Sequence, residues 1–339
     1  MTLTDRIVAL WYAPRVTWPA ALLWPFSLLY RLAVALRRAL FRGGVLRAVR
    51  LPVPVVIVGN ITVGGAGKTP LTCALAEALR ERGWRPGVIS RGYGGSADTT
   101  RAVAATDDPR VVGDEPLIFA AMNLPVWIGR DRVAAGEGLI AGHPECNVIL
   151  ADDGLQHYRL ARTMEIAVID DGRGLGNGLL LPAGPLREAP ARMQEADAVV
   201  RLVAPGTQAA PASGGRATQM QHVALPWRNL IDPARAAVVA DWSGHELHAV
   251  CGMGNPERFF AMLRGQGIAA HEHALPDHHA FVPADIAFPG AAAVLMTQKD
   301  AVKCMGFADA RCWYLPVRAQ VDPALIALVE EKIRGFEVA

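Results

Sequence analysis

The sequence is poor in cysteine, and its cysteines follow no recognisable spacing. Five occur among 339 residues, an odd number, and no two form a C-x-x-C pair. This distribution argues against a disulfide framework and against a zinc knuckle, and it favours a reducing compartment. The five are Cys73, Cys146, Cys251, Cys304 and Cys312.

The sequence also has little charge and lacks a long uncharged apolar run. Charged residues make up 19%, and 34 basic residues nearly balance 32 acidic ones, so nucleic acid is not expected as a partner. The absence of about 20 consecutive uncharged apolar residues argues against a multi-span membrane protein. A hydrophobic content of 52% excludes a disordered chain. At roughly 150 residues per domain, the length predicts about two domains.

The first 50 residues differ in composition from the rest of the chain. An uncharged stretch between Arg15 and Arg31 is interrupted by Pro19 and Pro25, and it is short for a bilayer span. The residues after it repeat leucine at helical spacing among several arginines. Aromatic residues beside arginines are typical of a helix in the lipid headgroup region. The aromatic residues of the stretch are Trp18, Trp24, Phe26 and Tyr30.

Other interpretations of residues 1–50 are a signal peptide, a core helix with a basic face and a single span. A signal peptide is disfavoured because no A-x-A cleavage site stands at the right place and a nucleotide site follows. We favour membrane association over a core helix. The sequence leaves open whether the segment spans the bilayer or lies on it.

A phosphate-binding loop is indicated by GNITVGGAGKTP, which follows the β-branched run VPVVIV and precedes a helical pattern. Glycines allow backbone N–H groups to turn toward phosphates, and the helix N-terminus adds its positive dipole end. Lys68 neutralises the β- and γ-phosphates, and the Thr69 hydroxyl binds Mg²⁺. Thr62 stands where the standard pattern has glycine. The predicted ATP-binding residues are Thr62, Val63, Gly64, Gly65, Ala66, Gly67, Lys68 and Thr69.

A second strand is predicted to end at the metal. Residues 147–153, NVILADD, form a hydrophobic run that ends in Asp152 and Asp153. In P-loop folds such a strand lies beside the first, and its terminal aspartate contacts Mg²⁺ directly or through water. Two adjacent aspartates that merely begin a turn are the alternative. The sequence does not distinguish which aspartate is nearer the metal.

Other polar stretches flank predicted strands and helices. Arg91 in SRGYGG follows a short strand, where ligands of open α/β sheets bind, and Arg187 ends a loop rich in glycine and proline. Both arginines are candidates for binding phosphate groups. Asp114 and Glu115 in VGDEP begin a helical pattern, where acids are also common as simple caps. His278 lies in PDHHAF.

Two further patterns resemble a zinc site and a guanine-reading motif, but each is incomplete. His271 and His273 share a face of an extended segment, but zinc needs further ligands and no cysteine lies nearby, so zinc is not expected. Lys299 and Asp300 are adjacent, whereas the guanine-reading N-K-x-D motif separates them. GTP is therefore only weakly indicated.

The order of elements predicts an α/β protein. Short apolar runs alternate with helical patterns over residues 51–203, which predicts a P-loop NTPase-like parallel sheet with helices on both faces. We expect a membrane-associated segment at 1–50, this P-loop domain at 51–203, a linker or loop at 204–222 and a smaller α/β domain at 223–339.

Taken together, the motifs resemble those of the tetraacyldisaccharide 4'-kinase family, the lipid A 4'-kinases of Gram-negative bacteria. The stretches GNITVGGAGKTP, SRGYGG, VGDEP, ADDGLQH, GNGLLLPAGPLRE, PDHHAF and TQKDAVK occur in that family's order and spacing, over nearly the whole chain. The family's loop also lacks the first glycine. The resemblance implies transfer of phosphate from ATP, with Mg²⁺, to the 4'-hydroxyl of a lipid A disaccharide 1-phosphate.

The resemblance also implies roles for individual residues. It makes Asp114 the base that accepts the hydroxyl proton, paired with His278 from the second domain. Glu115 joins Thr69 and the two aspartates as a candidate metal ligand. The candidate substrate-binding residues are Arg91, Gln156, His157 and Arg187. The enzyme is expected at the cytoplasmic face of the inner membrane, held there by its N-terminal segment, and neither nucleic acid nor a protein partner is implied.

Two rival functions remain, a P-loop kinase for a soluble metabolite and a membrane-recruited switch ATPase or GTPase. The first gives no role to the N-terminal aromatic and basic residues. The second usually hydrolyses nucleotide without an acceptor, and a GTPase needs the correct N-K-x-D spacing. Neither explains the LPAGPLRE stretch.

Overall fold

The structure is a computed structural model that describes residues 3–204 and 217–336. The central part of the predicted linker, residues 205–216, lies outside the described residues. Ten α-helices occur in the part of the chain that is described. They are α1 (Leu3–Trp11), α2 (Trp18–Arg42), α3 (Lys68–Glu81), α4 (Pro109–Val112), α5 (Asp114–Ala121), α6 (Arg132–Gly142), α7 (Arg192–Glu195), α8 (Pro256–Gly265), α9 (Gln298–Cys304) and α10 (Pro323–Arg334).

The strands form two sheets, which we call the large sheet and the small sheet. Fifteen strands occur within the described ranges. They are β1 (Val55–Gly59), β2 (Pro86–Ser90), β3 (Arg101–Ala102), β4 (Val126–Ile128), β5 (Val148–Asp152), β6 (Met164–Asp170), β7 (Ala198–Val203), β8 (Ala217–Ala224), β9 (Trp227–Asn229), β10 (Ala236–Ala237), β11 (Leu247–Cys251), β12 (His271–Ala274), β13 (Ala293–Thr297), β14 (Cys312–Leu315) and β15 (Val317–Val321).

The large sheet has the order β15-β8-β7-β6-β1-β5-β2-β4-β3. Its pairs are parallel except at the two edges, β3 with β4 and β15 with β8. β1 is buried throughout and lies between β5 and β6, with Val58 paired to Asp152. This register brings the end of the phosphate-binding strand beside the aspartates that end β5.

Both faces of the large sheet are covered, as the near-continuous apolar strands require. Successive side chains of a strand point to opposite faces. Accordingly, Val56 and Val58 belong to a core with α3, α5 and α10, whereas Val55 and Ile57 belong to a core that includes residues of α6. The predicted α/β class with helices on both faces is confirmed.

The small sheet has the order β10-β9-β14-β13-β11-β12. Its strands from β12 to β14 pair in parallel, and β9 and β10 add antiparallel pairs at one edge. One side of its core contains Trp227, Trp242 and Trp313, whose neighbouring rings are 5.5 Å apart in edge-to-face contact. The C-terminal half of the chain therefore also builds an α/β unit.

The division between the two units differs from the expected boundaries. β8 covers residues that the sequence assigned to the linker, and it pairs with β7 at the edge of the large sheet. β15 and α10 also return to the large sheet, since Leu325, Val329 and Ile333 pack into its core. The pattern of a strand and an amphipathic helix does not specify which sheet they join. The small-sheet domain is therefore an insertion between β8 and β15.

The N-terminal helix α2 is longer than the prolines led us to expect. It runs through Pro25 over 25 residues, and Pro19 lies in its first turn, where the missing N–H has no helical partner to lose. Its length, roughly 37 Å at 1.5 Å per residue, exceeds the hydrocarbon thickness of a bilayer. By length and composition it is the one helix among the described residues that could cross a membrane, with a mean hydropathy of 1.5 over an 18-residue stretch.

Candidate active site

The phosphate-binding loop connects β1 to α3 at the edge of a cleft. Gly64 and Gly67 have φ values of 101° and 86°, and Gly67 is the N-cap of α3. A Cβ atom at Gly67 would lie 2.7 Å from Met220 Cε and 2.9 Å from Leu202 Cδ2. Glycine is therefore required at position 67 both by the backbone conformation and by the close approach of β7 and β8.

Lys68 is held at the start of α3 with its ammonium group inside the site. The residue is 8% exposed. Its Nζ donates to Asn60 Oδ1 at 3.2 Å and lies 3.5 Å from Asp153 Oδ1. Asn60 also donates to Thr62 Oγ1 at 3.1 Å and to the Gly64 carbonyl at 3.3 Å, so one side chain supports both the loop and the lysine.

The two aspartates after β5 have different surroundings. Asp152 is fully buried and accepts hydrogen bonds from Thr69 Oγ1 at 3.2 Å and Thr72 Oγ1 at 3.3 Å. Asp153 has φ +50° and lines the cleft. The carboxylate of Asp152 therefore contacts the Thr69 hydroxyl, and the carboxylate of Asp153 lines the cleft.

The electrostatic environment separates the two aspartates further. Burial raises the pKa of Asp152 to about 7, with a further contribution from the negative charge of Glu115. Burial also opposes ionisation of Asp153, but Lys68 and Arg187 outweigh it and hold the pKa of Asp153 well below its usual range. Lys68 and Arg187 therefore keep Asp153 ionised, whereas burial opposes ionisation of Asp152 beside Thr69.

Asp114 lies at the meeting point of the two domains. It is the first residue of α5 and is 4% exposed. His278 Nδ1 from the small-sheet domain is 3.3 Å from Asp114 Oδ2, and Lys303 Nζ and Lys299 Nζ are 3.5 and 3.8 Å from the same oxygen. Burial raises the pKa of Asp114, but His278, Lys299 and Lys303 lower it to about 2. Asp114 is therefore ionised at neutral pH.

Glu115, next to Asp114, faces the cleft. Its Oε1 accepts a hydrogen bond from Lys299 Nζ at 3.1 Å. Burial lowers the pKa of Lys299, but Glu115 and Asp114 reverse that effect and raise it above the usual value. Lys299 consequently stays charged while bridging both acids.

Lys299 and Lys303 are functional candidates that the sequence analysis did not identify. Both lie in the TQKDAVK stretch of the family resemblance, but Lys299 was compared only with the guanine-reading motif, whose spacing it does not meet. The available signal was the separation of four residues, which brings two side chains to one face of a helix such as α9. Because both lysines act on a carboxylate of the other domain, their partner could not be found from local sequence.

Arg187 reaches the site from the end of the loop 174–188. Its Nη1 is 3.0 Å from both oxygens of Asp153, and the residue lines the cleft. Gln156 lies behind it and donates from Nε2 to the Asn60 carbonyl at 3.0 Å and to Glu188 Oε1 at 2.9 Å. Gln156 thus connects the phosphate-binding loop to the strand end and to Glu188, which is 1% exposed.

Three of the four candidate substrate-binding residues lie off the cleft wall. Within the described ranges, Arg187 lines the cleft, whereas Arg91, Gln156 and His157 do not. Arg91 is exposed after β2. His157 Nε2 accepts from the Arg132 backbone N–H at 3.3 Å, and burial, with the charge of Arg132, lowers the pKa of His157 to about 4. A direct substrate contact by these three residues stays a prediction.

The cleft between the domains has a volume of about 290 Å³. The phosphate-binding loop forms one wall, and apolar residues of both domains, among them Phe259, Met262 and Val317, form another. A second cavity of about 60 Å³ shares Tyr93 and His278 with the cleft and reaches Asp114. The arrangement provides one space beside phosphate-binding groups and an adjacent space beside the Asp114–His278 pair.

Across the cleft the domains are joined by polar contacts. Arg258 of α8 donates to both oxygens of Asp170 at the end of β6, at 2.9 and 3.1 Å. Arg173 donates to the Gly254 carbonyl. These contacts hold the two walls of the cleft together in the described conformation.

Comparison with known proteins identifies a family with these features. Residues 19–334 match the family model described as tetraacyldisaccharide-1-P 4'-kinase. Two of the most similar relatives are both named tetraacyldisaccharide 4'-kinase. The protein from Azoarcus sp. (strain BH72) is 49% identical over 316 residues, 93% of this chain and 92% of that one. The protein from Dechloromonas aromatica (strain RCB) is 48% identical over 331 residues, 97% of each chain.

A solved structure agrees with the sequence matches. The "apo" form of LpxK from Aquifex aeolicus in complex with ATP superposes with a TM-score of 0.78 at 27% identity, covering 93% of this chain and 99% of that one. The family model and the solved structure thus agree over most of the chain, including the phosphate-binding loop. The chain belongs to the tetraacyldisaccharide-1-P 4'-kinase family, whose members are ATP-dependent kinases of lipid A biosynthesis.

Proposed function

We propose that this protein transfers the γ-phosphoryl group of ATP to the 4'-hydroxyl of a tetraacylated disaccharide 1-phosphate. His278 lines two spaces, the cleft that contains the phosphate-binding loop and the adjacent cavity that contains Asp114. This position of His278 is the observation that carries the proposal. Phosphoryl transfer depends mainly on positioning and on neutralisation of charge. Two joined spaces with these groups suit a donor phosphate and an acceptor hydroxyl.

The nucleotide phosphates bind to the loop 62–69 and to Lys68. Backbone N–H groups at the start of α3 and the ammonium of Lys68 neutralise the phosphates. Arg187 adds a second cation that is already aligned by Asp153. Phe259 and Met262 add an apolar wall to the same cleft.

The donor set beside Thr69 fits Mg²⁺. Thr69, Asp152, Asp153 and Glu115 offer the oxygen ligands that this hard cation prefers. Burial and the charge of Glu115 raise the pKa of Asp152, so a bound divalent cation would favour the ionised form of this carboxylate. When bound, Mg²⁺ neutralises charge that develops on the transferred phosphoryl group.

The Asp114–His278 pair is assigned to the acceptor. We expect it to orient the 4'-hydroxyl and to take up its proton as a unit. With a pKa of about 2, the Asp114 carboxylate alone is a weak base at neutral pH, so its contact with His278 is essential to the assignment. Lys299 and Lys303 keep Asp114 ionised and in place.

The pair forms only when the two domains are together, because Asp114 belongs to the large-sheet domain and His278 to the small-sheet domain. Closure around the substrates also excludes water and limits hydrolysis of ATP without an acceptor.

The test is a phosphate-transfer assay with purified protein, Mg-ATP and the tetraacylated disaccharide 1-phosphate in detergent micelles, analysed by mass spectrometry. We expect a product heavier by one phosphate. A soluble sugar phosphate without acyl chains serves as the control acceptor. Hydrolysis of ATP with no lipid product would favour a switch ATPase, and efficient transfer to the soluble control would favour a metabolite kinase.

The exposed face of α2 supports membrane association. Trp18, Leu22, Leu29 and Leu32 are each more than 60% exposed. The opposite side of the helix is bound to the loop 174–188. Ser27 Oγ donates to the Leu180 carbonyl at 2.8 Å, and Tyr30 Oη donates to the Arg187 carbonyl at 3.1 Å. A membrane-bound α2 would therefore hold the cleft at the surface where the lipid acceptor resides, which we place at the cytoplasmic face of the inner membrane.

We expect Leu32→Asp to reduce binding to vesicles of phosphatidylethanolamine and phosphatidylglycerol by at least about tenfold. A carboxylate within the apolar zone costs about 2.5–3.5 kcal/mol, and each 1.4 kcal/mol is a factor of ten. Co-sedimentation measures the binding. Ile231→Asp, which replaces an exposed apolar residue of the small-sheet domain, is the matched control and should leave binding unchanged. Equal binding by Leu32→Asp and wild-type protein would contradict the assignment.

A further inference from the structure

A cluster of histidines lies at the free edge of the small sheet. We call Glu246, His248, His271 and His273 the histidine cluster. β11 and β12 pair in parallel, with His248 opposite His271 and Val250 opposite His273. Because paired residues and residues two apart share a face of a sheet, the three imidazoles lie on the same side. The pairing of two strands thus adds partners to a His-x-His segment that was insufficient alone.

The side chains of the cluster are close enough to share one ion. One ligand atom from each of Glu246, His248 and His271 lies within 4.8 Å of the others. His248 Nε2 is 3.2 Å from Glu246 Oε1, and His248 Nδ1 is 2.9 Å from His273 Nε2. Ligands of a tetrahedral zinc ion are about 3.3 Å apart when the Zn–N distance is about 2.0–2.1 Å. Small rotations of the exposed Glu246 and His271 side chains would shorten the present separations, which are up to 4.8 Å, to the separations that zinc requires.

An aromatic ring packs against the histidine cluster. Phe288 stacks on His248 and His273 with ring centroids at 4.1 and 4.5 Å, and it closes one side of the cluster. Three adjacent imidazoles enclosed on one side by an aromatic ring are suited to a metal cation, because neutral imidazole is the commonest metal ligand in proteins.

We propose that Glu246, His248 and His271 bind a divalent transition-metal ion of the zinc or nickel class. Nε2 of His248, on the Glu246 side, is the ligand atom, while Nδ1–H donates to His273 Nε2 and fixes the ring. Two imidazoles and one carboxylate suit Zn²⁺, Ni²⁺ or Cu²⁺ rather than Mg²⁺ or Ca²⁺. The fourth position is left for water.

This site is separate from the predicted Mg²⁺ site. Among the described residues, none of the histidine cluster lines the cleft, and its ligands are softer than the oxygens beside Thr69. The ion would link β11 to the edge strand β12, which leads through Leu275 and Pro276 to His278. Its direct effect is to stabilise the small-sheet domain, because binding to the folded form alone raises the melting temperature.

The test uses the full-length protein, free of affinity tags and metals, in detergent with excess Mg²⁺ to occupy oxygen sites. ZnCl₂ is titrated by calorimetry, and zinc retained after desalting is counted by elemental analysis. We expect one zinc ion per chain and an increase in melting temperature. His271→Gln and Glu246→Gln, both at exposed positions, should each weaken binding at least tenfold.

The matched control is His143→Ala, which removes a partly exposed histidine on the other domain, 3.1 Å from Glu145. We expect it to retain the zinc ion. The proposal is overturned if the wild-type protein retains no stoichiometric zinc. It is overturned equally if both cluster variants bind zinc as tightly as His143→Ala does.

Discussion

Replacing Lys68 by alanine should lower kcat/KM by about 10²–10³-fold or more, the range seen when a preorganised electrostatic group is removed from a transition state. A loss of 10³ corresponds to about 4 kcal/mol of transition-state stabilisation. Lys68 is buried between Asn60 and Asp153, so its ammonium is already in position before nucleotide binds. Its removal also leaves the carboxylate of Asp153 with one cation fewer beside the phosphates.

The measurement is the rate of lipid phosphorylation at several ATP concentrations, with melting temperature as the control for folding. Lys68→Met preserves most of the side-chain volume and separates loss of charge from loss of packing. Lys332→Ala removes an exposed lysine that pairs with Asp197 at 2.8 Å, and it should retain wild-type activity. Near-normal turnover by both Lys68 variants would rule out the assignment of the loop 62–69 to the nucleotide phosphates.

We expect Asp114→Asn and His278→Ala each to lower kcat by about 10²–10⁴-fold, the usual contribution of a general acid–base group. Their contact at 3.3 Å and their position across the domain boundary make them one functional unit. The double variant should therefore be little worse than the poorer single variant, because residues that act together are strongly non-additive. ATP affinity should change little, since neither side chain contacts the phosphate-binding loop.

Single-turnover rates and nucleotide binding by fluorescence distinguish these effects. His245→Ala, which removes an exposed histidine of the small-sheet domain, serves as the control. If the double variant shows the full product of the two single losses, Asp114 and His278 act independently and the proposed pair is wrong. If either variant mainly weakens ATP binding, the residue belongs with the donor and not the acceptor.

The parts of the fold that could be predicted from the sequence depend on short-range order. The apolar strand β1, the glycine loop and the helix α3 are contiguous in the chain. The 27 residues at 55–81 therefore contain the whole local pattern by which the phosphate-binding loop is recognised. The end of β5 beside β1 follows from the pairing rules of parallel sheets, and the register of Val58 with Asp152 agrees with it.

The features that escaped prediction depend on contacts between distant segments. Lys303 is 189 positions from Asp114, and no local pattern links them. β15 joins the large sheet and α10 packs on it because part of one apolar face of that sheet would otherwise be uncovered. The sequence alone does not show which face that is. The histidine cluster was missed for the same reason, because His248 and His271 meet through strand pairing.

The return of β15 and α10 to the large sheet determines the order in which the enzyme can be completed during synthesis. A ribosome releases the phosphate-binding loop and β5 long before the chain's last described helix, and domains tend to fold as they emerge. Leu325, Ile326, Val329 and Ile333 of α10 cover the same apolar face as Val56 and Val58. Until they arrive, α3 and α5 cover that face only in part, and the area that α10 covers stays open to solvent. The nucleotide-binding domain therefore receives its last core helix only after the whole small-sheet domain has been synthesised.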